Sequence, residues 1–217
     1  MSKQFWAVIA VLIIAFAGVA VVSNKKDATT SSSGSAQPTS HVEGAGNKKV
    51  TLVEYGDFEC PYCYQYHPTV KQVVASYGDD ITFQFRNYPL TSLHQNAFAA
   101  ARAAEAASLQ GKFWDMHDLL YEDRSWVGNT SPAAVFDQFA TELKLNVTKF
   151  KQDYSSDKVN DTVNADLAAG QKLDINGTPT FFINGKKVEI ANSVDSFKKV
   201  IDAEIAKQPA AASTTNN

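Results

Sequence analysis

The chain has 217 residues, of which 44% are apolar and 20% charged, and its formal net charge is −3. This composition is typical of a globular protein, and the small negative charge excludes the basic surface of a nucleic-acid-binding protein. The two cysteines are too few for a framework of several disulfides. We predict an ordinary hydrophobic core and no nucleic-acid partner, and we expect a monomer.

The N-terminus begins with an uncharged apolar stretch, Phe5–Val22 (FWAVIAVLIIAFAGVAVV). A helix of this length spans about 27 Å, close to the thickness of a bilayer's hydrocarbon core. We predict that residues 1–24 are a signal anchor, and a cleaved signal peptide with its site near Ala15-Phe16-Ala17 is the alternative. A buried core helix is disfavoured because a polar linker follows. Both favoured interpretations export the rest of the chain, although Lys25 and Lys26 weaken that orientation.

Residues 25–47 are rich in serine, threonine, glycine and alanine. Such a segment cannot offset its ordering entropy by burying apolar surface, so we predict a flexible linker. Residues 209–217 have a similar composition and are predicted to be a disordered tail. The folded domain is therefore predicted to span residues 48–208.

The first part of this domain has the pattern of a strand, a helix and a second strand. Lys49–Tyr55 is rich in valine and is predicted to be a strand. Pro61 suits the first turn of a helix, which we expect to end at Gly78. Ile81–Tyr88 alternates strictly between apolar and polar residues, as a half-buried strand does. A short βαβ unit of this kind has parallel strands and a right-handed connection.

A block of helices is predicted over residues 92–172. It comprises Leu93–Gln110, Lys112–Asp123, a helix capped by Ser131 that ends near Leu145, and one from Asn146 or Thr148 to Gly170. A hairpin follows, with strands Thr180–Ile183 and Lys187–Ile190 around an Asn184-Gly185 turn. A last helix begins at Ser193 or Asp195 and ends near Lys207. The predicted order is β, α, β, helical block, β, β, α.

Both cysteines lie at the predicted start of the first helix, in the motif Cys60-Pro61-Tyr62-Cys63. Backbone N–H groups and the helix dipole at that position favour a thiolate over a thiol. The pKa of a cysteine placed there falls from about 8.5 to between about 3.5 and 7.5. Cys63 lies one turn further in and is better shielded. We predict that Cys60 attacks, that Cys63 resolves the mixed disulfide, and that the two form a redox-active Cys60–Cys63 disulfide.

Three other interpretations of the pair are weaker. A structural disulfide closing so short a loop stabilises a fold little. A zinc site of Cys60, Cys63 and His67 lacks a fourth ligand, since nothing in the spacing presents His94 or His117. Inert buried thiols are disfavoured because export favours oxidation. We therefore predict no metal and no cofactor, and we retain His67 as a modulator of the thiols.

Two more segments bear on the same site. Glu54 lies inside the first strand, where a buried glutamate is costly unless it is protonated or functional. We predict that it accepts a proton through water when the resolving thiol attacks, and the alternative is that it faces solvent. The Thr178-Pro179 dipeptide precedes the hairpin, where a cis peptide bond would let the backbone turn.

Together these segments resemble the DsbA-like thiol–disulfide oxidoreductases of the thioredoxin superfamily, including membrane-anchored Gram-positive-type members. The resemblance rests on YGDFECPYC, FRNYPL, QGKFWDMHDLLYE and NGTPTFFINGK, which occur in the family's order. It implies an α/β thioredoxin fold with a helical domain inserted between the βαβ and ββα halves.

The resemblance also implies roles for individual residues. Cys60 matches the nucleophilic cysteine and Cys63 the resolving one. Pro179 matches a cis-proline that faces the disulfide, and Thr178 matches a residue whose backbone binds the substrate polypeptide. Glu54 matches the buried acid beneath the motif.

The family introduces disulfides into reduced exported proteins and is reoxidised by a quinone-linked membrane partner of the DsbB or VKOR-like kind. Pro61 and Tyr62 modulate the motif, and Tyr62 stands where strongly oxidising members often have histidine, which implies a milder oxidant. We expect a single N-terminal span with the domain outside the cytoplasm, or a secreted protein if the signal is cleaved. The alternatives are a reductase or isomerase that is kept reduced, and a chaperone-like or zinc-binding module.

Overall fold

The computed structural model describes residues 37–208. Five strands of this part form one sheet in the spatial order β1-β3-β2-β4-β5. Their bounds are β1 His41–Glu43, β2 Val50–Gly56, β3 Ile81–Asn87, β4 Thr180–Ile183 and β5 Lys186–Val188. The central strands β2 and β3 are parallel, and every other neighbouring pair is antiparallel.

Seven α-helices accompany this sheet within residues 37–208. Their bounds are α1 Pro61–Tyr77, α2 Ala97–Ser108, α3 Phe113–Glu122, α4 Ala133–Glu142, α5 Val147–Tyr154, α6 Asp157–Gln171 and α7 Val194–Ile205. The βαβ unit, the helical block and the ββα unit therefore follow one another as the sequence predicts. Helix α1 begins at Pro61 and ends before Gly78, which has a positive φ of 51°. Glycine accepts such a φ without the steric cost that other residues pay.

Three details of the helical block differ from the prediction, the first being that the helix predicted from Leu93 begins at Ala97. The predicted helix that ends near Gly170 is two helices, α5 and α6, because the Ser156 hydroxyl accepts a hydrogen bond from the Val159 N–H and begins a new helix. Ser131 is not the N-cap of α4, since that helix begins one residue later than predicted, with Pro132 at the cap position.

The apolar interior has two main clusters, and helix α1 contributes residues to both. One packs the sheet against α1 and α7, and it includes the fully buried Leu52, Val73 and Phe197. The other packs the helical block over the end of the sheet. Its largest fully buried side chains are Phe58, Phe85, Met116, Leu120, Tyr121, Trp126, Phe136 and Phe150. The alanine-rich face of α2 lies inside this second cluster, where small side chains let the helices approach closely.

The prediction that residues 25–47 are a flexible linker is wrong at its C-terminal end. Residues 41–43 form β1, which pairs antiparallel with β3 and places His41 opposite Phe85. The His41 ring stacks on Phe113 with 3.5 Å between ring centroids. Residues 41–43 form a strand because their backbone pairs with β3 and His41 contacts the distant Phe113. The polar composition of the segment therefore did not predict this strand.

The predicted N-terminal segment at residues 1–24, the first part of the linker and the tail at residues 209–217 lie outside the described residues. Among residues 37–208 no helix is long and apolar enough to span a membrane.

Asp166, on α6, ties three separate parts of the domain together, and the sequence analysis did not identify it. Its fully buried carboxylate accepts hydrogen bonds from the Thr39 N–H at 2.7 Å and the Thr39 hydroxyl at 2.6 Å. It also accepts from the Arg86 guanidinium at 3.1 Å and the Asn87 N–H at 3.0 Å. The segment before β1, strand β3 and helix α6 therefore share one buried anion.

We expect Asp166→Ala to lower the free energy of unfolding by about 3 kcal/mol, because it leaves Arg86 and several buried donors without their partner. Asp161→Ala, at an exposed position of the same helix, is the control and should change stability by less than about 0.5 kcal/mol. Urea unfolding followed by tryptophan fluorescence measures both variants. Equal unfolding midpoints for the two would contradict the structural role of this carboxylate.

Candidate active site

Cys60 and Cys63 lie at the N-terminal end of α1, and the structure has both as free thiols. Cys60 is the N-cap residue, with φ −62° and ψ 126°, and Pro61 begins the helix behind it. The Cys60 Sγ lies 3.4 Å from the Thr178 carbonyl oxygen, to which it donates only while the sulfur is protonated. The Cys63 Sγ accepts a hydrogen bond of 3.4 Å from the Asp57 N–H. The described structure is therefore the dithiol state of the pair, of which the predicted disulfide is the oxidised counterpart.

The two sulfurs have opposite electrostatic environments. The pKa of Cys60 is lowered to about 5, chiefly because the Cys63 thiol donates a hydrogen bond to its sulfur. Thr178 and the backbone N–H groups of Cys63 and Tyr62 lower this pKa further, and together they outweigh burial. Burial raises the pKa of Cys63 well above its ordinary value. Cys60 is thus the thiolate of the reduced pair and Cys63 the thiol.

Tyr62 lies between the cysteines in the sequence, and its side chain is largely exposed. The residue is 63% exposed, and its contribution to the Cys60 thiolate is its backbone N–H. The ring instead forms part of a groove of about 320 Å³ beside the dithiol. Tyr66, Thr178, Pro179 and Ile190 also line this groove.

The Thr178–Pro179 peptide bond is cis, as predicted. It lies directly before β4, the antiparallel neighbour of β2, whose C-terminal end leads to the cysteine motif. This pairing brings residues 118 positions apart into contact, so that the Thr178 carbonyl meets the Cys60 sulfur. Backbone groups next to Pro179 therefore border both the dithiol and the groove.

Glu54 is buried, and the alternative in which it faces solvent is wrong. Alternate residues of a strand share a face, so Glu54 shares the face of Val50 and Leu52, which are fully buried. Only 3% of Glu54 is exposed. Its pKa is raised to about 8, first by burial and then by the charge of Cys60. Glu54 in turn helps to raise the pKa of Cys63, so the acid and the two thiols form one coupled group.

Asp57 holds the loop before Cys60, a role that the sequence analysis missed. Its buried carboxylate accepts hydrogen bonds from the N–H groups of Glu59 and Leu90, each at 2.8 Å. The same carboxylate lies 2.8 Å from Nδ1 of His94. An aspartate directly after the strand-ending glycine was the available signal, since aspartate there often bonds to backbone N–H groups two residues on.

Arg124 supports the same loop from the helical block. Its guanidinium donates to the Phe58 carbonyl at 2.6 Å and to the Glu59 carbonyl at 2.8 Å. It also lies over the Tyr64 ring, 5.0 Å from the centroid. No local pattern identified Arg124, because its partners lie about 65 positions away in the chain.

His67 does not complete a zinc site with the cysteines. Within residues 37–208, Cys60, Cys63 and His67 do not bring three ligand atoms within 4.8 Å of one another. The buried His67 ring stacks on Tyr121, with 4.8 Å between centroids, and lies beside His117. The structure thus presents His117 to His67, which the spacing in the sequence did not suggest. That His67 modulates the thiols stays a prediction.

Comparisons with known proteins agree with this arrangement. A family model described as Thioredoxin matches residues 36–203. A thioredoxin-like oxidoreductase from Silicibacter pomeroyi has 28% identity and a TM-score of 0.67, over 80% of this chain and 95% of that one. Oxidised BdbD from Bacillus subtilis has 25% identity and a TM-score of 0.69, over 79% of this chain and 97% of that one.

Curated relatives match in sequence over a part of their length. A protein named Na(+)/H(+) antiporter NhaA 1 from Mycolicibacterium gilvum is 40% identical over 152 residues, which is 68% of this chain and 24% of the relative. A protein of the same name from Salinispora arenicola is 36% identical over 166 residues, or 76% of this chain and 25% of the relative. The chain thus spans about a quarter of these relatives.

We expect the Cys60 thiolate to titrate with an apparent pKa of about 5, measured by its ultraviolet absorbance. Cys63→Ala removes the thiol that donates to the Cys60 sulfur, so the Cys60 pKa should rise toward its ordinary value in that variant. Because the pKa is depressed in the folded protein, Cys60 contributes stability above its unfolded pKa of about 8.5. That contribution is lost as the pH falls toward 5, so the stability difference between reduced wild type and Cys60→Ser should shrink on acidification. An unshifted Cys60 titration would refute the assignment.

Proposed function

Since the chain belongs to the thioredoxin family, as a DsbA-like thiol–disulfide oxidoreductase, we propose that it works as an oxidase that introduces disulfides into other proteins. The observation that carries this proposal is the contrast between the two thiols. The pKa of Cys60 is about 5, whereas that of Cys63 lies well above its ordinary value. A stabilised Cys60 thiolate favours the reduced pair, and a pair that favours its reduced form oxidises its partners.

The reaction begins with the Cys60–Cys63 disulfide. A substrate thiolate attacks the Cys60 sulfur, a mixed disulfide forms, and Cys63 leaves as a thiolate. A second substrate thiolate then attacks the substrate sulfur of the mixed disulfide and releases Cys60 as a thiolate. Two substrate thiols are oxidised to one disulfide and the Cys60–Cys63 pair is reduced. The low pKa of Cys60 makes it a good leaving group in the second step.

Glu54 supplies the proton that Cys63 needs when it leaves. With a pKa of about 8, the Glu54 carboxyl is mostly protonated at neutral pH. The pKa of Cys63 is higher still because the thiol is buried, so proton transfer from the acid to the Cys63 thiolate is favourable. The same carboxylate takes the proton back when Cys63 attacks during reoxidation.

The groove beside the dithiol supports a polypeptide substrate. It is open, it measures about 320 Å³, and it is lined by the exposed Tyr62 and by the backbone around Thr178 and Pro179. An extended chain bound there could pair with backbone groups while its cysteine reaches Cys60. Such backbone contacts discriminate little between the side chains of different substrates. The groove therefore suits many different reduced proteins.

Reduced exported proteins are the substrates that fit this proposal. The uncharged stretch Phe5–Val22 supports export and a membrane tether. Net oxidation of many substrates requires an electron acceptor for the reduced pair, and a quinone-linked membrane protein of the DsbB or VKOR-like kind would supply it.

The oxidase proposal predicts that the Cys60–Cys63 pair equilibrates with glutathione at a potential above about −200 mV. In its disulfide form the protein should oxidise a reduced, unfolded ribonuclease, and Cys60→Ser should abolish this activity. A potential near about −270 mV, the thioredoxin value, would make it a reductase instead. If Cys60→Ser kept full activity on unfolded substrates, a chaperone-like function would replace the redox one.

Glu54→Gln removes the proton donor but keeps the side-chain volume, and we expect it to slow substrate oxidation by about 10²-fold at neutral pH. Wild-type activity should fall as the pH rises through about 8, and the variant should lack this pH dependence. Glu43→Gln is the matched control, since Glu43 lines the same cavity but does not affect the pKa of either cysteine. A variant with wild-type rate and pH profile would remove Glu54 from the mechanism.

A further inference from the structure

Three metal-binding side chains come together between α1 and α3. His67 lies on α1, and His117 and Asp118 lie on α3. One ligand atom from each residue can be chosen so that all three lie within 4.8 Å of one another. Both imidazoles are buried, and the Asp118 side chain is 33% exposed.

Two imidazole nitrogens of this cluster have no hydrogen-bond partner. Nε2 of His67 and Nε2 of His117 are both buried, and neither makes a hydrogen bond in the described part of the chain. Burying a polar atom without a hydrogen bond costs about 1–3 kcal/mol. Nε2 of His67 also lies 3.8 Å from Oδ1 of Asp118, so it indicates a polar ligand that the protein itself does not provide.

The neighbouring carboxylate lies beside one of these rings. Nδ1 of His117 lies 3.1 Å from Oδ1 of Asp118. When Nε2 of His117 carries the ring proton, Nδ1 presents its lone pair beside this carboxylate oxygen, so the nitrogen and the oxygen can bind one ion.

The site has room for an ion and further ligands. It borders a cavity of about 290 Å³ that is also lined by Glu43 and Glu54. Oε1 of Glu122 lies 3.9 Å from Nε2 of His67. Ligand atoms around a tetrahedral zinc ion lie about 3.4 Å apart, given bond lengths of about 2.0–2.1 Å. The 3.8 Å between Nε2 of His67 and Oδ1 of Asp118 is already close to that separation.

We propose that His67, His117 and Asp118 bind a divalent first-row transition metal, with Zn²⁺ the best match, and that a water molecule or Glu122 takes the fourth position. Two imidazoles and one carboxylate suit Zn²⁺, whereas Ca²⁺ and Mg²⁺ prefer all-oxygen sites. Lys71, whose Nζ lies 2.6 Å from Oδ2 of Asp118, competes for the carboxylate through its other oxygen. Metal binding therefore has to weaken this ion pair.

The ligands of the proposed metal site belong to two different parts of the domain. His67 lies one turn beyond Cys63 on the dithiol helix, and the other two ligands belong to the helical block. A bound ion would thus tie the helical block to the helix that carries the dithiol. This proposal uses none of the dithiol chemistry and does not depend on the oxidase function.

The test uses the full chain in detergent, without a histidine tag and with the Cys60–Cys63 pair oxidised, so that the sulfurs cannot ligate. We expect one Zn²⁺ per chain by titration calorimetry and a higher unfolding temperature with the metal. Co²⁺ should give the d–d absorption of a four-coordinate site without a thiolate-to-metal charge-transfer band. A chain that takes up no Zn²⁺ in this state would overturn the proposal.

Matched variants separate this site from other surface groups. His67→Gln and Asp118→Asn should weaken Zn²⁺ binding by more than about tenfold. His41→Gln and Asp115→Asn are the controls, because His41 is bound to Glu105 and Asp115 lies exposed on α3 outside the cluster. Equal affinity in all four variants would place the metal elsewhere and refute the assignment.

Imidazole ¹⁵N spectra of the wild-type chain test the site without any substitution. The chain has four histidines, so each can be assigned and followed during a Zn²⁺ titration. We expect the nitrogen signals of His67 and His117 to shift, while those of His41 and His94 stay in place. Shifts confined to His41 or His94 would contradict the proposal even if the variants fail to fold.

Discussion

The hydrogen bond from the Cys63 thiol to the Cys60 sulfur is the interaction on which the rest of the site depends. It stabilises one sulfur as a thiolate while burial keeps the other a thiol, so the pKa of Cys60 is about 5 and that of Cys63 is raised. Two chemically identical side chains three positions apart thereby acquire different roles. The difference between the two sulfurs follows from the start of α1. There Pro61 begins the helix, and the free backbone N–H groups of Tyr62 and Cys63 stabilise the Cys60 sulfur.

The surrounding structure holds this first turn in place from three sides. Asp57 binds the backbone of the preceding loop and, through its own N–H, the Cys63 sulfur. Arg124 donates to two carbonyls of the same loop from the helical block. Thr178, next to the cis-proline, meets Cys60 from the opposite side. The helical block thus supports the active-site loop as well as covering the end of the sheet.

Beneath the dithiol, one cavity links the two chemistries that the structure suggests. Glu54 lies on its wall on the sheet side, coupled to both cysteines. His67 and His117 lie on the wall formed by α1 and α3. The buried Nε2 atom of each makes no hydrogen bond in the described part of the chain. Glu54, the proposed proton donor, and the candidate metal site therefore line the same cavity.

The sequence by itself determined the parts that depend on local chemistry. Proline after Cys60 predicted the helix start and hence which cysteine is the thiolate, and alternation and the Asn184-Gly185 turn predicted the strands on both sides of the helical block. Burial cost in a strand singled out Glu54 and the proline before the hairpin singled out Thr178-Pro179, and the family resemblance then supplied their expected roles. Only the tertiary structure decided which distant side chains meet: that residues 41–43 join the sheet, that Arg124 reaches the active-site loop, and that His67 faces His117 and Asp118. The reason is physical, because these contacts join residues from about 40 to about 65 positions apart, and no periodicity or spacing within one segment encodes such a meeting.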